Sequence, residues 1–67
     1  MRSNTRIAPI IQKISHLWYQ FPDLRYGQIV TIIEDECRKH GYYDSFYVED
    51  DKISEIIDEV IARMTEV

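Results

Sequence analysis

The sequence predicts an all-α protein, a compact three-helix domain, and three observations carry that prediction. Apolar residues recur at three-and-four spacing in three separate stretches, proline and glycine fall between those stretches, and a chain of 67 residues holds one domain rather than two. Hydrophobic residues form 45% of the chain and charged ones 30%, the balance of a folded protein rather than a disordered one. At this size apolar burial at about 25 cal/mol per Å² barely offsets an ordering cost of about 1.5 kcal/mol per residue. A second subunit would help, so a homodimer is an expectation.

Ile7, Ile10, Ile11, Ile14, Leu17, Trp18 and Phe21 set the first apolar stripe, and the helix is expected from about Pro9 to Gln20. Pro9 suits a first turn, where its missing N–H is not needed. The polar "RSNT" before it can cap or fray, and residues 1–6 are expected to be disordered. Pro22 removes a donor and pushes Phe21 out of helical geometry, which stops the helix and leaves Asp23 as the expected N-cap of the next.

The second helix is expected from about Leu24 to Lys39, with Tyr26, Ile29, Val30, Ile33 and Cys37 in its stripe and Ile32 widening it. Glu34 to Arg38 and Asp35 to Lys39 are acid-then-base pairs at i,i+4, each worth about 0.2–0.5 kcal/mol. Arg38, Lys39 and His40 suit the helix dipole, and Gly41 is the expected terminator. "YYDSFYV" follows, an aromatic-rich loop or short extended segment before the third helix. A lone strand makes no sheet, so it packs as a loop or pairs with the same segment of a second copy. "EDD" then places carboxylates at a helix start. Ile53, Ile56, Ile57, Val60, Ile61 and Met64 form the cleanest stripe, in a helix expected from about Asp51 to Met64.

The single cysteine, Cys37, allows no internal disulfide and is ordinary in a reducing cytosol. No apolar run approaches the roughly 18–20 residues that span a bilayer, and the N-terminal segment is too broken for a signal peptide. A cytoplasmic location without membrane contact is expected. Acidic residues outnumber basic ones 12 to 8, a net charge of −4, which argues against a general nucleic-acid binder. The charge is uneven: Asp44 to Val67 carries Asp44, Glu49, Asp50, Asp51, Glu55, Asp58, Glu59 and Glu66 against Lys52 and Arg63, whereas no acid precedes Phe21.

No enzymatic activity, cofactor or metal is expected. Cys37 and His40 lie three apart, but a structural zinc site needs four ligands and the other histidine is His16. Cys37 falls on an apolar stripe, which favours a core thiol over a nucleophile. "EDDKISE" lacks the alternating oxygens and the turn glycine of an EF-hand, and there is no glycine-rich phosphate loop.

Partner-binding candidates are of three kinds. Tyr42, Tyr43 and Tyr47, with Phe46, Tyr19 and Tyr26, exceed what so small a domain buries, and tyrosine is enriched at protein interfaces. Arg25 and Gln28 sit at the start of the second helix, able to meet a carboxylate or polar edge. Glu55, Asp58 and Glu59 give the third helix an acidic face. The corner "FPDLRYGQIV" also has a purely architectural reading: Pro22 and Asp23 stop and cap, Gly27 lets the second helix approach the first beneath Trp18, and Arg25 pairs with Asp23 or an acid of the tail. The alternative function is a helix-turn-helix-like regulatory DNA-binding module using Arg25, Gln28 and Thr31, opposed by Glu34, Asp35 and Glu36 on the same helix.

Trp18, Pro22, Asp23, Arg25, Gly27 and Gln28, followed by Asp44, Phe46, Tyr47, Asp50 and Asp51, form a W…PDxRxGQ…DxFYxxDD pattern. In this pattern, covering roughly residues 14 to 57, the chain resembles a group of small uncharacterised bacterial and phage proteins. The resemblance implies a bacterial or phage setting and a shared architecture, and it brings no activity. The two motifs fall at the two interhelix corners, so they are expected to meet, with Arg25 answering a carboxylate. Size, acidity and resemblance together lead to the expectation of a small non-catalytic interaction or inhibitor protein, its target a host enzyme or defence factor.

Overall fold

The computed structural model describes residues 2–65. Three helices, α1 (Ile7–Gln20), α2 (Tyr26–Lys39) and α3 (Asp50–Thr65), account for most of them, and no strand occurs among the described residues. "YYDSFYV" is therefore a loop, with a 3-10 turn at Ser45–Tyr47.

Helix α1 begins two residues ahead of Pro9, which sits in the first turn as its fixed φ favours. In the preceding segment, expected to be disordered, Asn4–Arg6 make a 3-10 turn, Arg2 pairs with Glu49 and Arg6 pairs with Asp50. Met1 lies outside the described residues. Farther along, Lys13 donates to Ser54 Oγ at 2.6 Å and Asp58 at 2.7 Å. These partners advance together along both helices, so α1 and α3 run parallel. Between α2 and α3 the order is reversed: Glu36 meets Arg63 while His40 meets Glu59, an antiparallel pair.

The first corner differs from expectation in its cap. The Leu24 N–H bonds Phe21 C=O at 3.0 Å, spending Pro22 to Leu24 on an extra turn, so the N-cap is Arg25 rather than Asp23. Arginine has no acceptor to offer the helix N–H groups, but Gln28 Oε1 reaches back to the Arg25 N–H at 2.7 Å. Trp18 fastens the corner by donating its indole N–H to Leu24 C=O at 2.8 Å. The ring facing Trp18 is Tyr26, with centroids 5.9 Å apart. Gly27 does not serve a close approach, because a Cβ built there meets nothing within 4 Å. Gly41, by contrast, ends α2 at φ 91°, a left-handed conformation that disfavours a side chain.

The core is Leu17, Ile29, Ile33, Cys37, Val48, Ile56, Ile57 and Val60. Helix α1 supplies one of these, Leu17, while α2 and α3 supply three apolar residues each. The single stripe expected of α1 is split. Ile10, Ile14, Trp18 and Phe21 pack on the core, while Ile7 and Ile11 are 50% and 58% exposed. Ile10 and Ile11 are neighbours about 100° apart around a helix, so only one can point inward. No helix among the described residues is long and apolar enough to cross a membrane.

Candidate functional site

Aromatic side chains dominate the outer surface of the second corner. Tyr43, Phe46 and Tyr47 are 79%, 86% and 63% exposed. They stack edge to face: Tyr43 and Tyr47 centroids lie 6.3 Å apart at 83°, and Phe46 and Tyr47 lie 5.2 Å apart at 76°. Perpendicular rings at such spacing gain about 0.5–1.5 kcal/mol per pair beyond their buried area. Tyr42 is half-buried and packs against the core, so it belongs to the loop's foundation rather than its face.

Besides Tyr42, several contacts hold the loop, among them Arg38 Nε donating to Tyr43 C=O at 3.2 Å. Asp44 Oδ1 accepts from the Phe46 N–H at 2.9 Å and caps the 3-10 turn. Glu34, on α2, accepts from the Ser45 N–H at 2.7 Å and from the Ser45 hydroxyl. Val48 sits in the core, 8% exposed. Glu34 therefore serves the loop and not Arg38; Arg38 instead pairs with Asp35 at 3.0 Å, and Lys39 reaches Glu36 at 3.8 Å, both at i,i+3. Neither expected i,i+4 pair forms, because the returning loop claims Glu34.

The other candidates are dispersed. Arg25 is exposed and makes no ion pair among the described residues, so the expected bond to Asp23 or the acidic tail is absent there. Nor do the two corner motifs meet, since they occupy opposite ends of α2, a helix of 14 residues and hence about 21 Å long. Glu55 pairs with Lys52, Asp58 with Lys13 and Glu59 with His40, so α3's acidic face is tied into its own fold. Glu66 lies outside the described residues.

Basic side chains are similarly engaged. Arg2, Arg6, Lys13, Arg38, Lys39, Lys52 and Arg63 each sit against a carboxylate. Thr31 spends its hydroxyl on Gly27 C=O at 2.8 Å, and Gln28 spends its carbonyl on the Arg25 N–H. Apart from the exposed Arg25 at its N-cap, the α2 surface thus offers little to a phosphate backbone.

One group of potential ligands was not foreseen: Glu36, His40 and Glu59, whose donor atoms lie within 4.8 Å of one another. Glu36 and His40 share a face of α2 at i,i+4, and His40 Nε2 stands 2.5 Å from Glu59 Oε2. Arg63, at 2.8 Å, and Lys39 already face the buried Glu36 carboxylate, supplying the positive charge that a metal ion would bring. Cys37 is fully buried, as expected of a core thiol. Burial, joined by the nearby Glu34 charge, pushes its pKa up, which keeps it protonated and unreactive.

A second apolar feature lies along α1. An open cleft of about 410 Å³ is lined by Ser15, Trp18, Tyr19 and Pro22, and Tyr19 is 82% exposed. Sequence reading placed Tyr19 among the surplus aromatics but assigned Ile7 and Ile11 to the core. Set against protein-family models, curated proteins and solved structures, the chain matches none.

Proposed function

We propose that this chain is a small, non-catalytic protein-binding protein of bacterial or phage origin, acting in the cytoplasm, that holds its partner through the aromatic spur of Tyr43, Phe46 and Tyr47. The observation that carries this reading is the exposure of three rings, Tyr43 and Phe46 each packed edge to face on Tyr47, on a loop anchored by Val48, Asp44 and Glu34. Aromatic side chains offer large contact area with few rotors, and a loop already ordered loses little freedom on binding. A host enzyme or defence factor is the partner class that size, acidity and resemblance favour. The reading holds for a monomer and a homodimer alike. Engagement of the basic side chains other than Arg25, of the Gln28 carbonyl and of the Thr31 hydroxyl weighs against the DNA-binding alternative.

The test is site-specific crosslinking in the native host. Benzoylphenylalanine at position 46 is expected to trap a discrete partner, whereas the same group at exposed Ala62 on α3 does not. Replacing Tyr43, Phe46 and Tyr47 with alanine should leave the helical circular-dichroism signal intact and abolish capture of that partner. Undiminished capture by the triple variant would remove the proposal.

A further inference from the structure

We infer that the solvent face of α1 is a self-association surface, on which two copies of this chain pack their first helices antiparallel. From Ile7 to Pro22 the only residue with a full charge is Lys13, and Lys13 is turned to Ser54 and Asp58 on α3. In a protein that is 30% charged, the outer side of α1 thus presents Ile7, Ile11, Ser15 and Tyr19 with polar but uncharged neighbours. Depletion of charge together with exposed aromatic and aliphatic side chains is the composition of an interface centre.

The occupant is argued from shape and charge. Ile7, Ile11, Ser15 and Tyr19 follow one another at i,i+4 and form a single ridge, of the kind that packs beside a copy of itself at about −50°. Its N-terminal half is a pair of protruding isoleucines. Its C-terminal half is the open cleft of about 410 Å³ over Ser15, Trp18, Tyr19 and Pro22. Laid antiparallel, with Ile11 of one copy opposite Ser15 of the other, Ile7 falls opposite Tyr19. Each pair of isoleucines then enters the other copy's cleft, and the two-fold axis makes both contacts equivalent. The small Ser15 gives Ile11 room. The chain carries a net charge of −4, and α1 is the helix along which two copies meet without setting carboxylate against carboxylate. A contact limited to helices about 21 Å long falls in the small-interface class, under about 1,200 Å², so the association is weak.

Sedimentation equilibrium of the full chain from about 10 µM to about 1 mM tests this, the range being chosen for a weak interface. The weight-average mass is expected to rise from 8.1 kDa toward a dimer. Ile11→Lys should weaken the association at least about 10-fold with an unchanged thermal melt, since Ile11 is exposed. Alanine at Tyr43, Phe46 and Tyr47 should leave it unaltered, which separates this surface from the aromatic spur. Mixing Ile11→Cys protein with Ser15→Cys protein under mild oxidation should give the mixed disulfide in preference to either homodimer. A mass fixed at 8.1 kDa throughout, as for a face reserved for another protein, would overturn the inference. So would a dimer indifferent to Ile11→Lys, one lost on removing the spur, or crosslinks dominated by homodimers.

Discussion

Helices α1 and α3 run parallel, are similar in length and are both rich in isoleucine, yet they use that apolar material differently. In α3 the stripe is narrow and bounded by acids, so Ile56, Ile57 and Val60 are all fully or almost fully buried. In α1 the apolar residues spread over a wide arc and only Leu17 is fully buried. A helix whose polar face is charged has one way to sit in a bundle. One with isoleucines on two sides retains a side for something else.

The largest expected effect lies in breaking α3. Ile56→Ala removes a residue of zero exposure and should cost about 2–5 kcal/mol, comparable with the whole stability of about 3–5 kcal/mol available to so small a domain. Urea or thermal denaturation should find it largely unfolded. The matched change in α1, Ile11→Ala, should fall within about 0.5 kcal/mol of the parent. Equal losses would mean that the two helices share the core evenly, and the contrast would be wrong.

A smaller effect is expected from Arg63→Ala, which leaves the buried Glu36 carboxylate with Lys39 at 3.8 Å as its remaining cation. A loss of about 1–3 kcal/mol should appear in urea denaturation, and Cys37, one residue along, should react faster with a thiol reagent. The same thiol gives a pH signature. Its pKa in the folded chain is raised above the ordinary 9.0, so the native state keeps a proton that the unfolded chain releases. Folding is unaffected by this group below pH 9.0 and is progressively opposed as pH rises above it, and denaturation midpoints should fall on that alkaline side.

The smallest effect has the opposite sign. Gly27 lies in the first turn of α2 with open space where a Cβ would stand, so Gly27→Ala should stabilise the protein by about 0.4–1 kcal/mol. A lower melting temperature would restore the close approach to α1 that the sequence led one to expect.

The three helices were legible because proline, glycine and apolar spacing act locally. Pro22 stops α1 whatever surrounds it, and α3's single stripe admits one orientation. The N-cap was misplaced because the choice between Asp23 and Arg25 depends on an extra turn fastened by Trp18, a contact across the corner. Glu34 was misassigned for a related reason: its partner, Ser45, comes within reach only once the loop has folded back onto α2. The outward isoleucines of α1 were hidden because periodicity identifies a broad stripe without saying which edge the bundle covers. Of the candidate site, Tyr43 and Tyr47 were legible from sheer aromatic excess. Phe46 was read as part of the same aromatic group, and it is the most exposed ring of the three.

Val48 is the loop's one buried residue, part of the core while Tyr43, Phe46 and Tyr47 stand outside. Recognition and integrity are thereby mechanically linked. On heating, the capacity to grip a partner should persist to the melting transition and vanish with it, rather than fade beforehand as it would for an untethered arm.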